Sequence, residues 1–81
     1  MAAVKKDVIR ERIAAFSAYP DDALIDPHTV AGLFSCSVET IKRRVRAQQF
    51  PSPLALTANT HRWRAGDVRR ELAKLAAAKR V

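Results

Sequence analysis

The sequence predicts a small, mainly α-helical domain with one β-hairpin. Its 81 residues suit a single domain, and apolar residues recur at helical spacing in four separate segments. Two short strand-like segments, bounded by turn residues, lie between the third and the last of these helices. A core of this size is marginal, so part of the stability is expected to come from a partner.

Residues 3–17 form the first predicted helix, within an accessory unit of residues 1–20 that precedes a main domain at residues 21–81. Pro20 ends this part of the chain. Two roles are open for the helix: it closes the small core, or it holds neighbouring copies of the protein together. Its apolar positions recur at helical spacing and are Val4, Val8, Ile9, Ile13 and Phe16.

A brief strand at Ala23–Ile25 precedes the second predicted helix, His28–Phe34. Asp26 suits the N-cap of this helix, and Pro27 suits its first position because proline lacks an N–H that the first turn would leave unpaired. The turn Ser35-Cys36-Ser37 follows. The inward residues of the helix are Val30, Ala31 and Phe34.

The stretch SVETIKRRVRAQQFPSP, residues 37–53, contains the third predicted helix, from Val38 to about Gln48. Ser37 suits its N-cap, and Phe50-Pro51-Ser52-Pro53 cannot continue it. Helical spacing separates an apolar face from a polar and basic one. The inward residues are Val38, Ile41 and Val45, and the outward residues are Glu39, Thr40, Lys42, Arg43, Arg44 and Arg46.

Leu54–Leu56 and His61–Arg64 are the two predicted strands, joined by a turn at residues 57–60. In the second strand Trp63 faces one way, and the arginines on either side of it face the other. The last helix starts at Ala65-Gly66-Asp67, where an acidic residue suits the positive N-terminal end. Its apolar stripe is Val68, Leu72 and Leu75, and residues 76–81 are expected to fray.

The element order is therefore helix, turn, helix, hairpin and helix, with an additional helix in front. Two helices joined by a three-residue turn and followed by a hairpin predict a winged helix-turn-helix. In such a unit the second helix of the pair enters a DNA major groove.

The charge of the chain restricts its partners. A net charge of +7 and a pI of about 10.6 predict a polyanionic partner, which means nucleic acid or an anionic membrane. No apolar run approaches the length of a membrane span, and charges interrupt the N-terminus too often for a signal peptide. We therefore expect no membrane association and a cytoplasmic, nucleoid-associated protein.

Neither a metal site nor an enzyme active site is predicted. Cys36 is the single cysteine, and no CxxC motif or paired histidines suggest zinc. The serines and histidines form no nucleophile and base arrangement, and the two distant glycines form no phosphate loop. A turn and a helix cap account for Asp21, Asp22 and Asp26. We expect no cofactor, no small-molecule ligand and no enzymatic activity.

The basic helix is the first candidate DNA-binding site. Arginine reads guanine with paired hydrogen bonds, and Glu39 can accept from the amino group of cytosine. Phosphates would repel this acid, so its presence favours base reading over charge neutralisation alone. Alternatively, Glu39 pairs with Arg43 at i, i+4 on a solvated face. The candidate residues are Ser37, Glu39, Thr40, Lys42, Arg43, Arg44 and Arg46.

The hairpin turn is the second candidate DNA-binding site. Asn59, Thr60, His61 and Arg62 lie at or near its tip, where they can reach a minor groove or a phosphate. We interpret His61 as a polar strand residue rather than a metal ligand, because no second ligand lies near it in the sequence. We interpret Trp63 as a core residue rather than a platform for base stacking.

The basic helix resembles a known family. SVETIKRRVRAQQFPSP is similar to the recognition helix and proline turn of phage lambda-type excisionases, and equally of AlpA-like prophage regulators, which share a MerR-like winged helix-turn-helix. HRWRAGDVRREL is similar to their second wing strand and following helix, and VAGLFSCS to their first helix and turn. The resemblance covers about residues 23–76. It excludes the first helix, and Arg44 stands where the family has an aromatic or apolar residue.

The resemblance implies a recombination directionality factor. Such proteins bind adjacent sites beside an attachment site, bend the DNA and direct an integrase, a tyrosine recombinase, toward excision, without catalytic activity of their own. It implies that Glu39 and Arg43 contact base edges, that Lys42 and Arg46 contact the backbone, and that the wing enters a minor groove. The implied partners are double-stranded DNA, an integrase and neighbouring copies of the protein.

Two alternatives to this role remain open. A transcriptional regulator of prophage or integrative-element genes would share every residue-level feature described above. A small protein-binding or RNA-binding module would use the basic helix for a different partner.

Overall fold

The computed structural model describes residues 5–78. As predicted, the chain is mainly helical with a small antiparallel sheet, and its elements follow in the order α1, β1, α2, α3, β2, β3, α4. The helices are α1 Lys6–Ala15, α2 Pro27–Leu33, α3 Val38–Arg46 and α4 Ala65–Ala78, and a 3-10 turn at Phe16–Ala18 follows α1. The strands are β1 Leu24–Ile25, β2 Leu54–Thr57 and β3 Thr60–Arg64.

The sheet has three antiparallel strands in the order β1-β3-β2. The predicted hairpin forms, with a two-residue turn at Ala58-Asn59. The predicted brief strand β1 also forms, and it pairs with β3 so that Ile25 lies opposite Trp63. A β-bulge interrupts the β2–β3 pairing between Ala55 and Thr57. β3 is therefore the central strand, with the two other strands as edges.

The core contains a chain of aromatic rings that links the hairpin to the helices. Trp63 is only 4% exposed, which confirms its predicted place in the core. Its ring lies edge-on to Phe50 at 6.1 Å, and Phe50 lies edge-on to Phe34 at 5.0 Å. The indole Nε1–H donates to the Pro51 carbonyl at 2.8 Å. The other buried apolar residues are Phe16, Ile25, Val30, Ala31, Ile41, Ala65 and Val68.

The N-terminal segment packs against this core. Gly32 lets α1 approach α2 closely, because a Cβ at this position would lie 2.5 Å from the Cδ1 atom of Ile13. Phe16, directly after α1, is 6% exposed within the core cluster. Within α1 itself no residue is buried, and Val8, Ile9 and Ile13 are only partly buried. The contribution to the core therefore comes from Phe16, and both roles of the first helix stay predictions. Val4, which was expected to face inward, lies outside the described residues.

Arg69 of α4 holds the N-terminal segment in place through contacts with the residues that follow α1. Its guanidinium donates to the Phe16 carbonyl at 2.9 Å, to Asp21 Oδ1 at 2.6 Å and to the Tyr19 carbonyl. It also lies 5.0 Å from the centre of the Phe16 ring, a favourable cation–π distance. Sequence patterning does not distinguish this anchoring arginine from its exposed neighbour Arg70.

Both predicted N-caps are confirmed. The Asp26 carboxylate accepts from the Thr29 N–H at 3.1 Å and hydroxyl at 2.6 Å, and from Arg12 Nη1 at 3.0 Å. Ser37 Oγ accepts from the Thr40 N–H at 3.1 Å. Burial by itself raises the pKa of Asp26, but the hydrogen bonds from Thr29 and Arg12 outweigh it and hold the pKa below its ordinary value of 3.8.

α3 ends at Arg46, two residues earlier than predicted. Gln48 has a φ of 60°, in the left-handed region that glycine adopts without a steric cost. Its N–H bonds to the Val45 carbonyl at 3.0 Å, and the Gln49 N–H bonds to the Arg44 carbonyl at 2.8 Å. These bonds form a Schellman ending, which terminates a helix. α2 also has a Schellman ending, and it ends one residue earlier than predicted.

The remaining boundaries shift slightly. α1 gives way to the 3-10 turn at Phe16, inside the predicted helix 3–17, and each hairpin strand is one residue longer than predicted. α4 is helical through Ala78, although fraying was expected from residue 76. The rest of that prediction, at residues 79–81, lies outside the described part of the chain.

We expect Gln48→Gly to raise the free energy of unfolding by about 1 kcal/mol, because glycine removes the clash that a Cβ suffers at positive φ. Urea unfolding followed by the fluorescence of Trp63, the single tryptophan, measures the change. The matched control is Gln49→Gly, one residue further on, where φ is not positive and no gain is expected. Equal gains from both substitutions would contradict the role given to Gln48.

We expect Asp26→Asn to reduce the loss of stability in acid. The pKa of Asp26 is lower in the folded chain than its ordinary 3.8, so the unfolded chain binds more protons on acidification. The stabilisation from Asp26 is therefore complete above this ordinary value and is lost as the pH falls below it. Asparagine still caps a helix, so α2 should persist.

Urea unfolding between about pH 7 and pH 2 tests this expectation. Asp26→Asn should be less stable than the parent protein at neutral pH and should show a flatter pH dependence below pH 5. Asp7→Asn, at an exposed carboxylate in the first turn of α1, serves as the control and should keep the parent profile. A parent-like profile for Asp26→Asn would show that this carboxylate does not govern the acid sensitivity.

Candidate nucleic-acid interface

α3 buries one face and exposes the rest. Ile41 is fully buried, while Val38 and Val45 are partly buried against the core, as predicted. Successive residues of an α-helix are rotated by about 100°, so the ionic residues are distributed over several directions on the remaining surface. They form three groups: an outer row of Glu39 and Arg43, a groove row of Lys42 and Arg46, and Arg44 alone on a third side.

The outer row consists of Glu39 and Arg43, one helical turn apart and both exposed. Arg43 Nη2 lies 3.4 Å from Thr40 Oγ1. Glu39 forms an intrahelical ion pair on the solvated face, as the alternative expected, but its carboxylate lies 3.8 Å from Lys42 Nζ rather than beside Arg43. An exposed pair of this kind is worth only about 0.2–1 kcal/mol. Both partners can therefore exchange it for a bound ligand at little cost.

The groove row consists of Lys42 and Arg46, which border an open groove of about 380 Å³ between α3 and the hairpin. Asn59 and His61 border the same groove from the hairpin. Two cations of α3 and two polar residues near the hairpin tip therefore share one concave surface. The apolar part of its lining comes from Pro27, Val38, Val45, Pro53, Ala58 and Trp63.

The predicted residues Ser37 and Thr40 hold the N-terminus of α3. Besides accepting from the Thr40 N–H, Ser37 Oγ lies 2.9 Å from Thr40 Oγ1. Ser37 is exposed and Thr40 is half-buried. Each oxygen keeps an acceptor or a rotatable proton for a further partner, and both residues lie in the turn that carries Glu39.

The hairpin tip contains three of the four residues predicted there. Asn59 lies in the turn, Thr60 begins β3, and His61 follows on the side of the groove. Arg62 lies on the opposite face of β3, where it borders a separate hollow together with Arg12. Its Nη1 donates to the carbonyl of His61 at 2.8 Å. Strand alternation therefore separates Arg62 from the groove.

Arg44 lies on the third side of α3. It borders a shallow hollow that Phe34, Phe50, Glu71 and Lys74 also line, and it is half-buried. The structure therefore separates Arg44 from the outer row and from the groove row. Two phenylalanines beside the same hollow explain why an apolar side chain would suit this position.

Within residues 5–78, no group of three or more histidine, cysteine or carboxylate side chains is placed to hold a metal ion. None of the described helices is long and apolar enough to cross a membrane.

Comparison of the chain with protein-family models, curated proteins and solved structures finds no match. The geometry of α3 and the hairpin is therefore the main guide to function.

Proposed function

We propose that this protein is a sequence-specific DNA-binding architectural protein built as a winged helix-turn-helix. α2 and α3 form the helix pair, and the β2–β3 hairpin forms the wing. The observation that carries the proposal is the division of the exposed α3 side chains into an outer row away from the groove and a groove row beside the polar hairpin tip. DNA recognition needs side chains that reach base edges, which the outer row supplies in this proposal. It also needs cations that reach backbone phosphates, which the groove row supplies.

In this proposal the outer row enters the major groove. Arg43 donates paired hydrogen bonds to guanine, and Glu39 accepts from the amino group of cytosine. The weak pair between Glu39 and Lys42 does not oppose this, because both side chains are exposed. Discrimination between base pairs comes from these two residues.

The groove row binds the DNA strand that runs between the helix and the wing. Lys42 and Arg46 contact its phosphates and release counterions, which makes this part of the affinity independent of sequence. Asn59, Thr60 and His61 bring the wing tip to the adjacent minor groove. Arg44 and Arg62 are not among the proposed contacts, because they face other surfaces.

We infer the biological role from the family resemblance. The protein binds adjacent sites beside an attachment site, bends the DNA and directs an integrase toward excision of a mobile element, and it catalyses no reaction itself. A regulator of prophage or integrative-element genes is the second candidate, since an isolated site at a promoter needs the same interface.

A map of occupied sites on the host DNA, obtained by crosslinking and sequencing, distinguishes these two roles. Tandem occupancy beside an attachment site, followed by excision in vitro that depends on the protein, is expected for an excisionase. Occupancy confined to promoters would replace that role with transcriptional regulation. A complete lack of enriched sites would contradict both roles.

We expect Arg43→Ala to cost about 1–3 kcal/mol of binding free energy and to relax specificity at one base position. Binding to a library of duplexes with every base varied measures both effects. Arg70→Ala, which removes an exposed arginine from α4, is the control and should leave specificity unchanged. Unchanged DNA affinity after Arg43→Ala would favour a protein-binding or RNA-binding module instead.

We expect Lys42→Ala to weaken binding to all duplexes about equally. The slope of log K against log salt should decrease in magnitude by about one, because one phosphate contact is lost. Lys74→Ala is the matched control: it changes the net charge equally, but on α4, where Lys74 pairs with Glu71 at 3.1 Å. If both variants change the slope equally, net charge rather than a contact in the groove determines the affinity.

A further inference from the structure

The face of the sheet turned away from the groove exposes leucines beside arginines. Register places Leu24 opposite Arg64 on β1 and β3, and Leu54 opposite Arg62 on β2 and β3. Leu24 and Leu54 are each 46% exposed, and Leu56 at the bulge is 53% exposed. Only one other large apolar residue in the described part of the chain is exposed to this degree. Leu24, Leu54, Arg62 and Arg64 share this face by register, and we call these four residues the outer sheet face.

The charges on and beside the outer sheet face are balanced except at Arg62. Asp21 and Asp67, which lie near Arg64, are paired with Arg69 and Arg70. Arg64 is paired with Asp22, and Arg12, across the adjoining hollow from Arg62, is paired with Asp26. Within residues 5–78, Arg62 has no carboxylate partner, and its guanidinium donates only to a backbone carbonyl. The nearby carboxylates are therefore already neutralised, while one arginine is available between the leucines.

We propose that the outer sheet face docks an acidic amphipathic helix of another protein. Its leucines would pack against the apolar side of that helix, and Arg62 would bind a carboxylate. Leu24 and Leu54 lie on the two outer strands, which are about 10 Å apart across the sheet, close to the diameter of a helix. This surface is separate from the DNA contacts proposed above, because it lies opposite the groove.

Two observations favour a helix of another protein over the other occupants of such a face. The bulge at residues 55–57 breaks the regular ladder of the β2 edge, which disfavours an added strand. A second copy of the chain would bring its own net charge of +7 to an arginine-bearing surface and would be repelled. An acidic partner complements the charge instead.

The probe is a helical peptide of about 18 residues, with leucines at i, i+3 and i+4 spacing and glutamates elsewhere. A matched peptide carries lysine in place of every glutamate. NMR titration of the full chain should show shifts in β1, β2 and Arg62 with the acidic peptide and none with the basic one. Leu24→Ala with Leu54→Ala should weaken binding by at least about fivefold, and Arg62→Gln by about threefold.

The substituted leucines are exposed and Arg62 is half-buried, so the variants should fold, which thermal unfolding verifies. The variants should bind DNA like the parent protein, so failure of the DNA proposal and failure of this one are separable. Equal binding of the acidic and basic peptides, or shifts confined to α3, would overturn the proposal. So would DNA affinity that falls with the leucine substitutions, or a dimer in sedimentation that they abolish.

Discussion

The structure depends on the burial of Trp63 on the central strand of the sheet. Its ring packs against Phe50, and its indole N–H satisfies the Pro51 carbonyl just before β2. β3 carries both neighbouring strands, so the side chain that fixes β3 fixes the whole sheet relative to the helices. Together with the contacts of β3 with α2 and α4, these two interactions set the position of the hairpin beside α3, and with it the groove. Because the hydrogen bond is partly shielded from water, breaking it would leave a carbonyl poorly solvated.

The basic surface of α3 is compatible with a small core because its cations point away from the face of the helix that packs on the core. Ile41 takes the fully buried position, and the charged groups stay in water, where their ionisation costs nothing. The capping hydroxyl of Ser37 and the Schellman ending at Gln48 define the two ends of the helix. A short helix with defined ends holds its side chains in a fixed arrangement. Such an arrangement is what distinguishes base reading from general attraction to a polyanion.

Alternation along β3 gives the sheet two different surfaces. His61 and Trp63 face the groove, whereas Arg62 and Arg64 face away from it. A ligand in the groove and a partner on the outer sheet face would therefore not compete for the same side chains. The N-terminal segment supports this sheet indirectly, since Arg69 ties it to α4, the helix that directly continues β3.

The sequence by itself determined the elements, because local effects decide them: apolar periodicity sets α3 and α4, Asp26 and Ser37 cap their helices, and turn residues set the hairpin. It also identified Trp63 and Ile41 as core. Only the tertiary structure decided how the polar residues are sorted. Arg44, Arg62 and Arg69 look alike in the sequence, yet one borders a hollow near α4, one lies behind the groove and one anchors the N-terminal segment. The pairing of β1 with β3 was likewise decided by packing between residues about 40 positions apart. Local patterns contain no information on such distant contacts, so the groove itself was visible only in the folded chain.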